Sequence, residues 1–493
     1  MLPQKIRVIG AGLAGCEAAH FLANKGVAVE LYEMRPRTQT EAHQTADFAE
    51  LVCSNSFKSL SPATAPGIMK REMEMLGSLS LACAREAAIG AGEALGVDRD
   101  RFSAAMTKAI RNHPLITVKE EEVHSLPDED GMITILATGP LTSPALSESL
   151  RKRTGSDHFY FYDAISPIVD ASSLDRSIIF AANRYGKQTR SLDQMFPSAQ
   201  TGEAAAAEPA LATEAAPAAD APAGEVAPGA DYLNCPMNKE EYDLFMKELL
   251  RGERVEAKSF ERVKHFEGCM PIEEMADRGH ETLRFGPMKP VGLDDPRTGR
   301  YPYAAVQLRP ENESKTAYNL VGFQTKLKYG EQARIFKLIP GLAEVEFLRM
   351  GSMHRNTFVD SPRVLNLDLS LKSARHILLA GQITGVEGYM ESASIGILAG
   401  IFALARLQQR PIPDPPASSA LGALLGHVRN TRNPDFQPSG INFGLFEDSN
   451  FTEALEALRA RFKKKIPKDE RRKAMGEVCL KAAEEYAARV RAF

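Results

Sequence analysis

The sequence predicts an α/β fold in which the first domain is interrupted by an inserted second domain of α+β type. Three observations lead to this prediction. A short apolar run passes into a glycine-rich turn and a helix pattern at the start of the chain, and two later apolar runs, ending near residues 139 and 381, also pass into glycine-containing turns. Between these two later runs the chain has strand and helix patterns of its own, so the first domain is discontinuous in sequence.

The first glycine-rich turn follows residues 6–9, a short apolar strand pattern, and opens residues 16–25, a helix pattern closed by Gly26. A second strand pattern follows, with Glu33 at its end. The turn itself consists of Gly10, Ala11, Gly12, Leu13, Ala14 and Gly15. A Rossmann-like dinucleotide-binding unit typically consists of a strand, a GxGxxG turn, a helix and a second strand that ends in an acidic residue. This part of the sequence has all four features.

The spacing of these residues gives each one a physical role. Gly10 permits the tight turn, Gly12 lets a pyrophosphate approach the backbone, and Gly15 allows the helix to pack closely on the strand. The helix N-terminus then directs its amides at the phosphates, and Glu33 is placed to bind ribose hydroxyls. The alternative is a glycine-rich turn without a ligand, which the position of Glu33 disfavours.

Two strands return the chain to the same predicted sheet. The first ends at Thr138 and Gly139, and the second ends before Gly381 and Gln382, which lead into a helix pattern from Tyr389. This combination is typical of flavoproteins of the glutathione-reductase-like, two-dinucleotide type. The N-terminus of the later helix could stabilise the anionic edge of a reduced flavin, so we expect FAD rather than NAD as the bound cofactor.

These features predict four segments. Residues 1–150 form the first part of the FAD-binding domain, residues 151–345 the inserted domain, residues 346–430 the second part of the FAD-binding domain, and residues 431–493 a basic helical segment. Within the insert, residues 197–230 are expected to be a flexible stretch, because residues 201–230 contain fourteen Ala and four Pro and no Lys or Arg.

Charge and hydropathy restrict the possible partners. The net charge of −4 over 493 residues does not by itself indicate a nucleic-acid-binding protein. Residues 451–493 contain twelve Lys and Arg against seven Asp and Glu, a local +5, which fits either a polyanion or a solvated helix face. Residues 396–405, the most apolar run, are shorter than the roughly twenty residues of a membrane span, and we see no leader sequence. We therefore expect a cytoplasmic protein with no membrane segment.

Six cysteines are the remaining candidates for chemistry, and they show no metal-ligand spacing, so we predict no metal site. Cys16 and Cys83 lie in helix patterns among alanines and are expected to be buried. Cys53 and Cys269 lie in polar or glycine- and proline-rich surroundings, where a reactive thiol is as plausible as a structural one. Beside a flavin they could form a redox pair or activate an unsaturated carbonyl compound. Their wide separation in sequence disfavours the first, and a pyrimidine base suits the second.

Seven separated motifs in the chain together indicate one specific protein family. They are GAGLAGCEAA at 10–19, LVCSNS at 51–56, FEGCMP at 266–271, LRFGPMKPVGL at 283–293, YAAVQLR at 303–309, MHRNT at 353–357 and AGQITGVEGY at 380–389. In this order they closely resemble the folate- and FAD-dependent tRNA (uracil-5-)-methyltransferases, the TrmFO family. The resemblance covers residues 5 to about 405 apart from the Ala- and Pro-rich stretch.

The resemblance implies methylation of uridine C5 in the T loop of tRNA, at position 54. It implies 5,10-methylenetetrahydrofolate as the carbon donor, reduced FAD as one-carbon carrier and hydride source, and NAD(P)H as the reductant. The catalytic cysteines of the family match Cys53 and Cys269. Cys269 is expected to activate the base and Cys53 to act near the flavin, although these roles could be exchanged. No obligate protein partner is evident.

Four basic residues are candidates for binding the folate carboxylate or RNA phosphate, with structural ion pairs as the alternative. They are Lys289, Arg309, His354 and Arg355.

Three other functions stay open from the sequence. The same chemistry could act on a uridine of large-subunit rRNA. A wobble-uridine modifying flavoprotein of the MnmG type shares the glycine fingerprint but is typically longer. A flavin-bearing RNA-binding protein without turnover belongs to a different class altogether.

Overall fold

The computed structural model describes residues 5–40, 42–155, 159–186, 230–255, 270–432, 436–462 and 466–493. For residues 159–163, 354 and 355 it describes the backbone only. Cys269 lies outside the described residues, and so does the Ala- and Pro-rich stretch up to residue 229. The chain divides into two compact units. Unit 1 comprises the described parts of Met1–Ala88, Ala94–Tyr162 and His354–Phe493, and unit 2 those of Ile89–Glu93 and Asp163–Met353.

The centre of unit 1 is a six-stranded sheet of order β16-β17-β7-β1-β2-β6. All neighbouring strands pair in parallel except β16, which is antiparallel to β17. The strands are β1 (Lys5–Ile9), β2 (Ala28–Glu33), β6 (Ile116–Glu120), β7 (Ile133–Leu136), β16 (Ser370–Leu371) and β17 (Ala374–Leu379). Of the two predicted return strands, β7 therefore lies beside β1 and β17 lies beside β7, and the predicted Rossmann-like α/β fold is confirmed.

Helices surround this sheet in unit 1. They are Leu13–Asn24, Ala65–Met75, Leu79–Glu86, Arg99–Arg111, Pro144–Thr154, Ser361–Val364, Tyr389–Leu407, Ala420–Val428, Thr452–Arg461 and Lys468–Arg491. Short strands β3 (Ser56–Ser59) and β5 (Ala94–Val97) pair antiparallel. The chain passes between the units in β8 (Phe159–Ala164) and β15 (Met353–Phe358). Two further changes of unit lie in β4 (Ala88–Ile89) and between Glu93 and Ala94.

The helix Tyr389–Leu407 is a core element of unit 1. Its nineteen residues are long and apolar enough to cross a bilayer, but 89% of its most apolar window is buried inside the protein. It packs closely on the helix Leu13–Asn24, because a Cβ on Gly396 would lie 2.3 Å from the carbonyl oxygen of Ala14. Its apolar character is therefore explained by burial against another helix.

Unit 2 is built on an antiparallel sheet of order β10-β11-β12-β13-β9-β14. Its strands are β9 (Ile168–Asp170), β10 (Phe180–Ala181), β11 (Leu233–Met237), β12 (Ala304–Pro310), β13 (Ala317–Leu320) and β14 (Phe347–Arg349). Its helices are Lys239–Arg251, Ile272–Asp277, Thr282–Phe285 and Tyr329–Phe336. Side chains of the sheet and the helices form one buried core that includes Tyr242, Phe245, Phe323 and Phe336.

Candidate functional site

A long cleft in unit 1 brings together most of the cofactor-binding residues predicted from the sequence. It contains about 1040 Å³ of space free of protein atoms, open solvent included. The predicted residues that line it are Gly10, Gly12, Leu13, Ala14, Glu33, Thr138, Gly139, Gly381 and Gln382. The loop after β2 also contributes Thr40, His43 and Glu50, as expected of a loop over a nucleotide.

The three glycines of the turn have different surroundings. A Cβ on Gly15 would lie 1.8 Å from the carbonyl oxygen of Gly10, so only glycine permits this approach of helix and turn. Gly10 itself has a φ of +101° and lies against Ala137. A Cβ on Gly12 would meet no atom within 4 Å, and no side chain caps the helix that begins at Leu13. An uncapped helix N-terminus beside open space fits the pyrophosphate of FAD.

Glu33 holds the turn as well as facing the cleft. Its Oε2 accepts the backbone N–H of Ala11 at 2.9 Å, and its Oε1 accepts Nε of Arg35 at 2.9 Å. Burial raises the pKa of this carboxyl, but the Arg35 guanidinium and the hydrogen bonds outweigh it, so the pKa is lowered overall. Arg35 in turn reaches Glu50 at 3.3 Å, which connects the turn to the loop that lines the cleft.

The two return strands end at the cleft in the same manner. Gly139 has a φ of +64° with open space at its Cβ position, and the hydroxyls of Thr138 and Thr142 are 2.7 Å apart. Gly381 has a φ of +80°, and a Cβ there would lie 2.7 Å from that of Ala14. Both strand ends therefore need glycine, the first for its backbone conformation and the second also for close contact with the helix after the turn.

Cys53 lies in a loop that is held to the beginning of the helix Tyr389–Leu407. Its backbone N–H donates to the phenol oxygen of Tyr389 at 2.7 Å, and that of Ser54 donates to the same oxygen at 3.1 Å. Arg99 donates to the carbonyl oxygens of Leu51 and Cys53 from the other side. Tyr389 also lines the cleft, so this clamp fixes the Cys53 backbone next to a residue of the proposed FAD site.

Among the cysteines that the structure describes, Cys53 is also the one that is partly exposed. All five of them are free thiols, and Cys16 and Cys83 are buried as predicted. Burial raises the pKa of the Cys83 thiol to about 12, and burial also raises that of Cys16. Within the described residues, no group of three or more His, Cys, Asp or Glu side chains is arranged to hold a metal ion.

Lys289 and Arg309, two of the basic residues predicted to bind folate or RNA, do not line the cleft. Lys289 is exposed on a loop of unit 2, whereas Arg309 is only 8% exposed on β12 of the same unit. His354 and Arg355 lie on β15, and their side chains are not described. Burial makes Arg309 a better candidate for a structural role than Lys289.

Sequence reasoning missed the residues that hold the predicted ones in place. In the sequence Tyr389 marks only the start of a helix pattern, and Arg35 and Arg99 are assigned no role. Arg35 follows Glu33 by two positions at the end of a strand, so its guanidinium can reach the Glu33 carboxylate. This spacing is a local signal for the ion pair between them. The contact of Tyr389 with Cys53 spans 336 positions and has no local signal.

Comparison with known proteins agrees with this geometry. The family model described as "Glucose inhibited division protein A" matches residues 5–206 and 216–411. The solved structure of Aquifex aeolicus GidA in its form I crystal is similar with a TM-score of 0.62 at 18% identity, covering 98% of this chain and 78% of that one. At that identity the likeness concerns the fold alone.

Curated relatives are much closer in sequence. A protein of Bdellovibrio bacteriovorus is 49% identical over 92% of this chain and 94% of its own length. Another, of a Sulfurihydrogenibium species, is 47% identical over 98% of each chain. Both are named methylenetetrahydrofolate–tRNA-(uracil-5-)-methyltransferase TrmFO. The chain therefore belongs to the glucose inhibited division protein A family of FAD-binding folds and, within it, to the TrmFO proteins.

Proposed function

We propose that this protein is an FAD-dependent enzyme that methylates uridine C5 in tRNA, with 5,10-methylenetetrahydrofolate as carbon donor and NAD(P)H as reductant. The observation that carries the proposal is the near full-length identity of 47–49% to TrmFO proteins, combined with a cleft whose glycine turn is open where a pyrophosphate would lie. The finer assignment is position 54 in the T loop, and the cytoplasm is the proposed location.

The residues of unit 1 would hold the cofactor by backbone contacts. The helix that begins at Leu13 would present its first amides to the pyrophosphate, and Glu33 would accept hydrogen bonds from the ribose. Gly139, Gly381 and Gln382 line the rest of the cleft. When bound in its reduced form, FAD supplies the one-carbon carrier and the hydride. The protein's part is to orient the reactants and to limit the access of water.

The two cysteines are proposed to divide the covalent work. The thiolate of Cys269 adds to C6 of uracil, so that an S–C6 bond forms and C5 becomes a carbon nucleophile. After C5 has bonded to the transferred carbon, the C5 proton leaves and the bond between that carbon and its carrier breaks. Hydride then adds to the carbon and the S–C6 bond breaks, which completes the methyl group and restores the thiolate. Cys53 acts beside the cofactor, where Tyr389 and Arg99 hold its backbone. Lys289, Arg309, His354 and Arg355 stay proposed contacts for folate or RNA.

Nucleoside mass spectrometry of RNA from cells that lack this protein tests the assignment. The expected result is loss of 5-methyluridine from the T loop of tRNA with large-subunit rRNA unchanged. Loss from rRNA alone would contradict the choice of substrate. Loss of a wobble-position modification would instead identify the MnmG-type activity, and no loss of any modification would leave only the non-catalytic alternative.

A further inference from the structure

Several large apolar side chains of unit 2 lie exposed at the surface, outside its hydrophobic core. Phe285 is 82% exposed, the highest value for any large apolar side chain in the described part of the chain, and Tyr185 and Val291 are 61% and 42% exposed. Full burial of such a side chain is worth about 1.5–3 kcal/mol, so an exposed group of them indicates a surface that another molecule covers.

The segment that carries Phe285 is anchored to the core of unit 2 by two buried side chains. Leu283 and Met288 are completely buried, and the backbone N–H of Met288 donates to the carbonyl oxygen of Leu283 at 2.8 Å. The backbone N–H of Lys289 donates to the carbonyl oxygen of Gly286 at 3.3 Å. With Leu283 and Met288 directed inward, Phe285 and Lys289 are displayed outward on one compact turn.

Tyr185 belongs to the same surface. Its backbone N–H donates to the carbonyl oxygen of Gly292 at 2.7 Å, and its ring lies about 3.0 Å from the position of a Cβ on that glycine. Arg184 donates to the carbonyl oxygen of Val291 at 2.9 Å. These bonds join Tyr185 to residues 291–292 of the segment that also carries Phe285 and Lys289, and we call Tyr185, Phe285, Lys289 and Val291 together the aromatic surface.

Charged side chains of both signs lie near the aromatic surface, with Lys289 exposed within it and the exposed Asp294 directly after it in sequence. Residues 283–293 contain Arg284 and Lys289 and no Asp or Glu. The guanidinium of Arg284 lies 3.6 Å from the centre of the Tyr303 ring and pairs with Glu281, whereas Lys289 makes no side-chain ion pair within the residues described. An exposed ring beside an available ammonium group is the combination that binds a base and its phosphate.

We propose that the aromatic surface is a stacking platform for an unpaired base of the RNA substrate, with Lys289 on the adjacent phosphate. This inference rests on the proposed function for the identity of the RNA. A protein partner fits less well, because lysine is depleted at the centre of protein–protein interfaces. Base stacking on exposed aromatic rings tolerates any sequence and is the usual way in which proteins hold splayed-out RNA bases.

Binding of an unmodified tRNA transcript to the FAD-loaded protein tests the proposal. Phe285→Ala is expected to raise Kd about five- to 150-fold, the range of ~1–3 kcal/mol per stacked base converted at 1.4 kcal/mol per tenfold. Phe285→Tyr retains a ring and should bind like the wild type, whereas Phe285→Leu should bind like the alanine variant. The matched control is Tyr329→Ala, which removes another exposed ring, 63% exposed, at the start of a different helix of unit 2.

A second variant tests the phosphate contact independently. Lys289→Gln should lower the slope of log Kd against log salt by about 0.7–0.9, the value for one phosphate contact. Flavin content and tRNA-independent NAD(P)H oxidation should stay unchanged in the Phe285 and Tyr329 variants, because neither residue lines the cleft.

Several results would overturn the platform. One is an unchanged tRNA Kd for Phe285→Ala, and another is an equal loss of tRNA affinity for Tyr329→Ala. A change in oligomeric state of the Phe285→Ala protein would also contradict it, as would a rise in the KM for methylenetetrahydrofolate with tRNA binding intact. Failure of the proposed function is separable, because a wild-type protein that binds tRNA without methylating it still allows the variants to be compared for binding.

Discussion

The phenol oxygen of Tyr389 accepts the backbone N–H of Cys53 at 2.7 Å and that of Ser54 at 3.1 Å. Burial and the nearby Cys53 side chain raise the pKa of Tyr389, so the phenol stays protonated at neutral pH. One side chain at the start of a core helix therefore fixes the position of the proposed catalytic loop.

Replacing this tyrosine should affect turnover more than cofactor binding. Tyr389→Phe removes the acceptor of two backbone N–H groups, each worth about 1 kcal/mol, and lets the Cys53 loop move. We expect methylation to fall about tenfold or more while the absorbance of bound flavin is retained. Single-turnover methylation measures this, with Phe57→Leu as a control for loss of ring packing, since Phe57 packs edge-on against Tyr389. Equal rates for wild type and Tyr389→Phe would show that the clamp is not needed.

Two glycine substitutions in the turn should have distinct effects. Gly12→Ala places a methyl group in open space of the cleft, so we expect normal folding and weak FAD binding. Gly15→Ala forces a methyl group against the carbonyl oxygen of Gly10, so we expect the unfolding temperature and FAD binding to fall together. Thermal unfolding of apoprotein and flavin titration separate the two. Full FAD affinity in Gly12→Ala would contradict the proposed position of the pyrophosphate.

Glu33 should make stability depend on pH on the acidic side. Its pKa is lowered in the folded state, so its stabilising effect is present above its ordinary pKa of 4.5 and is lost as the pH falls through the folded value. Glu33→Gln should therefore be less stable than wild type by about 1–3 kcal/mol at pH 7, and the difference should shrink below pH 4.5. Denaturant unfolding at several pH values measures it. A difference that is constant with pH would rule out the charge of Glu33 as the cause.

Lys70 should also make stability rise with pH, but on the alkaline side. It is completely buried on the helix Ala65–Met75, and its Nζ donates to the carbonyl oxygens of Ser59 and Pro66. Burial lowers its pKa from 10.5 to about 7. Between these values the unfolded chain binds more protons, so stability rises with pH by up to about 1.4 kcal/mol per unit. Wild type should gain stability over Lys70→Met from pH 7 to 10, and a flat difference would show that Lys70 does not titrate there.

The sequence predicted those parts of the molecule that depend on local spacing. The strand, glycine turn and helix of residues 6–25 follow from short-range patterns, and so does the helix after Asp98, whose carboxylate accepts the N–H of Arg101. The helices Ala65–Met75 and Leu79–Glu86 are separated at Gly77, whose φ of +77° is incompatible with one continuous helix.

The supporting contacts could not be predicted because they join distant segments. Lys58, on β3, pairs with the buried carboxylate of Glu391 at 2.8 Å across 333 positions. Glu72 accepts the N–H groups of Ala420 and Leu421 at the start of another helix. No pattern within a window of the sequence contains these pairs, which form only after the helices have packed.

The central claim is that a cleft for FAD and two cysteines transfer carbon from folate to tRNA. The most direct measurement incubates the reduced, FAD-loaded protein with isotopically labelled 5,10-methylenetetrahydrofolate and an unmodified tRNA transcript, followed by nucleoside mass spectrometry. The prediction is labelled 5-methyluridine in the T loop with wild type, and none with Cys53→Ala or Cys269→Ala although both retain FAD. Absence of label with the active wild-type flavoprotein, or undiminished label with Cys269→Ala, would contradict the account.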